Sequence, residues 1–294
     1  MFILLLKKKN ILFLNLTFVS KKIISISILL VCSGLAQNSL DDQYNYAKSL
    51  FDQEKYFDAI TESKRLLFFD EQKLYGLEAN MLIGLSYKAG AKYNEALKYF
   101  VLSEVNSKND EQLFNSVILS ARTNILRRTT QQSEKILNSL LANPKYFNRT
   151  KEIKYWLGWN YMFSNKWEKA SEIFSEENLD SSLAAICRSV VTESYNENFA
   201  KYSSYIIPGF GQFYTGEYLN GLISLGWNVL LGYLTINSFV EDRIFDGIIT
   251  GNFLWLRFYI GNTKNAEKFA KEKNLTIINN ALERLQYDFN GSKP

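Results

Sequence analysis

The chain has 294 residues, 47% of them hydrophobic and 15% aromatic, with 34 basic side chains against 30 acidic ones and no histidine. The missing imidazole removes the commonest general base, the usual serine and cysteine triads and most zinc sites at once, and two cysteines cannot build a cysteine-rich metal site. Three prolines, Pro144, Pro208 and Pro294, leave long stretches uninterrupted, so the sequence predicts an all-α protein with little strand.

At the amino terminus, Lys21-Lys22 precede an apolar run from Ile23 to Val31, and Gly34 and Ala36 supply the small residues of a secretory cleavage site before Gln37. Residues 1–36 therefore read as a signal peptide cut after Ala36. Met1 to Ser20, with Lys7, Lys8 and Lys9, makes the leader long, which fits an over-called start or an extended signal, and an uncleaved anchor is the competing reading. Cleavage removes five lysines and no acid, leaving 29 basic and 30 acidic residues, a net charge of −1. Binding to nucleic acid needs a clustered cationic excess, so no nucleic-acid partner is expected, and Arg127-Arg128 reads as a solvated helix end. Cys32 lies in the signal without the small residue that precedes a lipidated cysteine. Cys187 would be the one remaining thiol, so no intrachain disulfide can form.

From residue 37 to about Asn198 the chain repeats. Small residues recur every 37 positions at Ala47, Gly84, Ala121 and Gly158, with a second set at Ala59, Ala96, Ser133 and Ala170. The clearest copies read Gly84-x-x-Tyr87, Tyr93-x-x-Ala96, Phe100 and Gly158-x-x-Tyr161, Trp167-x-x-Ala170, Phe174. This pattern resembles the tetratricopeptide repeat over residues 40–178, with departures at Leu50, Ser63, Asn124 and Thr130. The resemblance implies four two-helix units in a solenoid, closed by a helix over Leu183–Val191. The family period is about 34, so the extra residues are expected in the turns. In that family the first helices line a concave groove. Carried over, the groove positions are Tyr44, Lys48, Phe51, Met81, Leu85, Lys88, Ile118, Arg122, Ile125, Tyr155, Trp159 and Met162. Such an aromatic and apolar surface with a few cations suits a protein or peptide partner with apolar anchors, and it lacks the Lys and Asn set that clamps a carboxy-terminal Asp. The competing reading packs this face on the protein's own tail.

Residues 199–263 change character. Pro208, Gly209, Gly211, Gln212, Tyr214 and Gly216 precede an uncharged stretch from Leu219 to Val240, long enough as a helix to cross a bilayer. After Glu241-Asp242-Arg243 comes a second apolar stretch, Ile244–Asn262, carrying Asp246 and Arg257. Residues 203–270 resemble a small two-span membrane domain marked by Pro-Gly-x-Gly-Gln-x-Tyr-x-Gly, found in poorly characterised bacterial envelope proteins. The resemblance implies a transmembrane helical hairpin in contact with membrane lipid. Pro208 and the glycines would turn the chain into the membrane, and Phe210, Phe213, Tyr214 and Tyr218 suit the headgroup layer. The competing reading of these glycines as a phosphate loop is weak because no Gly-Lys-Ser/Thr follows. Asp246 and Arg257 are 11 residues apart, which on an α-helix puts them on one face. Gly247, Gly251, Gly221, Ser224 and Gly226 would allow close helix contact, including a homo-oligomer through the hairpin. Residues 264–294, with Ile277, Ile278, Ala281, Leu282, Leu285 and Phe289 at helical spacing, are expected to form an amphipathic carboxy-terminal helix on the membrane or on the repeats.

Two signals of topology conflict. The signal peptide puts the repeats outside the cytoplasm, whereas Lys264, Lys268, Lys271 and Lys273 follow the second span and the intervening turn is acidic. The exported arrangement, integral to the inner membrane with periplasmic repeats, is preferred because the signal and its cleavage site form the more complete pattern. The acidic pairs Asp41-Asp42, Glu176-Glu177 and Glu241-Asp242 read as solvated, since neighbours on a helix diverge by about 100°. No catalytic, cofactor or metal residue is expected. The sequence thus predicts a non-enzymatic, membrane-anchored envelope scaffold. The alternative is a small membrane protein acting through its hairpin in transport or membrane-protein insertion, with the repeats as a regulatory arm.

Overall fold

The structure, a computed structural model, describes residues 40–176 and 178–294, so the expected signal peptide lies outside the described residues. All regular structure among them is helical, in agreement with the all-α expectation. The described residues fall into two compact units, 40–163 and 164–293. The division lies between the two helices of the fourth sequence repeat.

In the first unit, α1 (40–52), α2 (Tyr56–Phe69), α3 (Gly76–Ala89), α4 (Tyr93–Val105), α5 (Asp110–Leu126), α6 (Thr130–Leu141) and α7 (Thr150–Phe163) follow one another, with a 3₁₀ segment Pro144–Arg149 before α7. From α2 to α7 each helix packs on the next, and α5 also meets α7. The small residues explain the close approach: Ala47, Ala59, Ala96, Ala121 and Ser133 are fully buried, and a Cβ on Gly84 would lie 2.5 Å from the Phe100 ring that crosses it.

The 37-residue period is also written in the backbone. Glu54, Ala91, Arg128 and Asn165 all adopt positive φ, between 55° and 65°, and stand 37 residues apart. In the first three copies the next residue donates its N–H five residues back, from Lys55 to Leu50, Lys92 to Tyr87 and Thr129 to Asn124. A left-handed residue with such a bond caps the preceding helix and redirects the chain. These turns hold three residues each, whereas the connections between units vary in length, so the extra residues of the period do not sit in the turns within a unit.

The second unit contains α8 (Trp167–Glu176), α9 (Ser181–Glu193), α10 (Glu197–Ile206), α11 (Phe210–Tyr214), α12 (Tyr218–Val240), α13 (Ile244–Ile249), a π-helical turn Thr250–Trp255 and α14 (Leu256–Tyr287). The expected closing helix is α9. It packs on α8 and α14 and buries Leu183, Ile186, Cys187 and Val190; burial pushes the Cys187 thiol up to about 12, which leaves it unreactive. Long α14 organises the rest, meeting α9, α10, α11 and α12.

Two expectations change here. The tail is no separate helix: Thr250 and Leu256 keep right-handed helical torsions, so Ile244–Tyr287 is one rod of 44 residues, about 66 Å long. No proline or chain-reversing glycine lies within it to end it. The π-helical turn also alters the winding between Asp246 and Arg257, so their 11-residue spacing no longer fixes a shared face. Among the described residues α12 is the one helix long and apolar enough to cross a bilayer; Ile244–Asn262 is divided among α13, the π-helical turn and the first turns of α14.

Candidate functional site

The twelve expected groove residues separate by burial. Tyr44, Phe51, Met81, Leu85, Lys88, Arg122 and Tyr155 are half-buried and Lys48 is exposed. Ile118, Ile125, Trp159 and Met162 are buried in the core instead, none above 4% exposed. For α5 the cause is packing: it meets α4, α6 and α7, which leaves only a narrow strip of the helix open. Those four side chains hold the fold and present nothing to a partner.

Within the open strip the chemistry is aromatic and cationic. The Tyr44 and Tyr75 rings lie 5.3 Å apart, and the Arg122 guanidinium sits 4.1 Å from the centre of the Trp156 ring, an arrangement in which the ring's negative face attracts the cation. Burial, reinforced by the Arg122 charge, pushes the Lys88 amine down to about 8. Burial also lowers Arg122, opposed by Glu152 and Tyr155, so α3 and α5 bring two cations into electrostatic reach of each other. Trp156 itself is buried, 4% exposed, so its ring backs Arg122 from the core rather than facing a partner; the repeat register assigns its neighbour Tyr155 to the groove.

The second unit draws the motif residues together. Gly209 has φ of +94°, and a Cβ there would run into the Gly221 carbonyl; a Cβ on Gly211 would strike the Ala200 carbonyl. Both glycines are therefore required by close backbone approach. The Gly209 N–H donates to Asn262 Oδ1 at 2.8 Å, and the Gln212 amide donates to the Asn262 carbonyl at 3.1 Å and to its Oδ1 at 3.0 Å. Asn262 Nδ2 in turn donates to the Ser204 carbonyl at 3.0 Å, and the Gly211 N–H donates to Ser204 Oγ at 2.9 Å. Gln212 and Asn262 are 1% and 2% exposed, so the motif ties α10, α11 and α14 into one buried polar knot. Pro208 is half-buried, Gly216 turns the chain at φ +79°, and Tyr214 packs against Tyr195 and Phe199 while its hydroxyl accepts the Asn196 N–H. Asn262 was not singled out in the sequence, where one amide ending an apolar stretch reads as a boundary. Its only signal was the Gln212 amide, which needs a buried partner.

Outside the knot α12 is sorted with polar residues inward. Gly221, Ser224, Asn228, Leu231, Thr235 and Ser238 recur at helical spacing as its buried or half-buried stripe, while Leu222, Val229, Leu230, Tyr233, Ile236 and Val240 are exposed. Thr235 and Ser238 hydroxyls donate to carbonyls one turn back, which satisfies them inside the helix. Across from α12, a Cβ on Gly247 would press on the Phe239 ring, and Gly251 stands against Thr235, so both permit the close contact expected of them; Gly226 faces open space. On the far side of the knot, Lys201 and Lys271 both bond Glu267, at 2.8 and 2.6 Å, and these bonds pull its carboxyl down to about 2.

Comparison with family models, with curated proteins and with solved structures gives no match for this chain.

Proposed function

We propose that the chain is a non-enzymatic, membrane-anchored scaffold of the bacterial cell envelope, whose repeat unit binds a protein or peptide partner. In this reading residues 40–163 form a tetratricopeptide-like repeat array, and the fourth repeat's second helix belongs to the other unit. Helix α12 and the run from α13 into α14 form a two-span hairpin in the inner membrane, with the repeats exported.

One observation carries the binding role: Tyr44, Met81, Leu85, Lys88, Arg122 and Tyr155, all on first helices of successive repeats, are half-buried rather than sealed in the core or fully solvated. A half-buried row of large side chains with two cations offers desolvated contact area and a charge preference together. The periodic left-handed turns support the repeat, and the exposed apolar side chains of α12 over its polar inner stripe support the hairpin.

The test places a photo-crosslinking residue at Leu85 in the full-length protein in cells, with Phe57, exposed on α2, as control. A discrete crosslinked partner at Leu85, absent at Phe57 and lost with Lys88→Glu, is the expected result. Equal crosslinking at both positions sinks the groove reading. Lys108→Cys in a Cys187→Ser background, labelled by a membrane-impermeant thiol reagent with only the outer barrier opened, reports the side on which the repeats stand; labelling only after lysis overturns the exported arrangement.

A further inference from the structure

Between α12 and α14, beside the polar knot, lies a cavity of about 300 Å³ lined by Asn220, Ser224, Trp227, Arg257, Asn265 and the edge of Asn262, among others. Its apolar wall is formed by Trp227 and Phe258, whose rings stack at 5.5 Å and 23°. Its polar wall consists of amides, a hydroxyl and one guanidinium, and no carboxylate lines it.

Arg257 is the residue that the described contacts leave unexplained. It forms no ion pair and no hydrogen bond among the described residues, and it stands among exposed Leu254, Leu256, Phe258 and Ile260. A bare cation in an apolar belt is costly unless an anion meets it there. Arg257 precedes Asn262 by five residues, about 7.5 Å along the helix, so it lies just on the apolar side of the knot. Seven residues beyond it, on the same helix face, Lys264 is exposed and also has no ion pair among the described residues. Lys268, one further turn along, is already engaged by Glu272. The available charge is therefore concentrated at the depth where the proposed hairpin would meet lipid headgroups.

We infer that this cavity binds the phosphodiester of an anionic phospholipid, an inference that rests on the membrane reading above. The planar guanidinium suits bidentate contact with phosphate oxygens, Asn220 and Asn265 offer donors and acceptors to headgroup hydroxyls and ester carbonyls, and the Trp227–Phe258 wall takes the start of an acyl chain. Absence of a lining carboxylate selects against headgroups that carry their own cation, so phosphatidylglycerol is the preferred class over phosphatidylcholine.

The full-length protein in phosphatidylcholine vesicles, doped with brominated phosphatidylglycerol or with brominated phosphatidylcholine, tests this through the tryptophan quenching that disappears in Trp227→Phe. Brominated phosphatidylglycerol should quench at about five-fold lower mole fraction, the preference should vanish in Arg257→Gln, and part of it should survive in Arg257→Lys, which keeps the charge if the glutamine variant fails to fold. Equal quenching by both lipids overturns the inference and leaves the membrane reading standing. Quenching by neither overturns the membrane reading and the inference with it. Loss of the preference on adding millimolar inorganic phosphate shows a free-anion site and overturns the lipid assignment.

Discussion

Helices α3 and α12 are built by the same backbone rules and differ in where their large apolar side chains go. α3 buries Leu77, Leu82 and Ile83 together with Asn80 and Ser86, whereas α12 buries Asn228, Thr235 and Ser238 with Leu231 and leaves Leu222, Leu230 and Val240 exposed. In water apolar burial drives packing, at roughly 25 cal/mol per Å². In the membrane reading proposed above α12 lies in hydrocarbon, where that drive is absent and small side chains and hydrogen bonds decide contact. Hence composition alone, 47% hydrophobic for the whole chain, hides a contrast that the placement of the large apolar residues makes plain.

The sharpest way to break the contrast is at the knot. Asn262→Ala strands the Gly209 N–H and the Ser204 carbonyl inside the protein and leaves the Gln212 amide only its bonds to the residue-262 carbonyl and Ser224, and should cost about 2–5 kcal/mol, read as a lowered melting temperature in detergent. Next in size, Leu230→Lys, near the middle of α12, should cost about 2.5–3.5 kcal/mol in a bilayer and release the protein from membranes at alkaline pH. Phe57→Lys on α2, where Phe57 is 81% exposed, should change stability by no more than about 0.5 kcal/mol; equal effects of the two lysines would erase the difference between the regions.

A smaller effect is electrostatic. The folded Lys88 value, about 8, lies below the ordinary 10.5, so the unfolded chain binds more protons between those values and stability should rise as pH increases from about 8 towards 10.5. NMR titration of the Lys88 side chain should give a midpoint near 8, moving upward in Arg122→Gln. Smallest is the turn: Ala91 sits at φ 55°, a conformation that a Cβ disfavours, so Ala91→Gly should stabilise by about 0.5–1 kcal/mol in thermal melts.

The repeat was legible because its small residues mark places where helices touch, and touching requires the same residue size in every copy. Gly84 under Phe100 is the plainest case. The identity of the core side chains was less legible: Trp159 and Met162 occupy groove positions by register, yet their burial depends on packing that a register does not contain. Of the motif glycines, Gly209 and Gly216 take left-handed torsions at bends while Gly211 sits inside α11 for close packing, and Asn262 lies 50 residues from Gln212, where one amide so distant carries no local pattern. Continuity of the tail was available from the lack of any proline between Ile244 and Tyr287, and it was obscured by the change from apolar to charged composition near Lys264.

That uninterrupted rod gives the second unit a mechanical character. Its apolar beginning and its charged end belong to one continuous helical segment, and the charged part carries Asn274, which holds the Tyr195 backbone through two hydrogen bonds. Tyr259 grips the Tyr205 carbonyl and Glu267 grips Lys201, so α10 is clamped to the same rod along its length. Under the membrane reading proposed above, the apolar end of that rod and the grip on Tyr195 belong to one continuous helix, so a load on the first is borne by the second as a mast bears on its step.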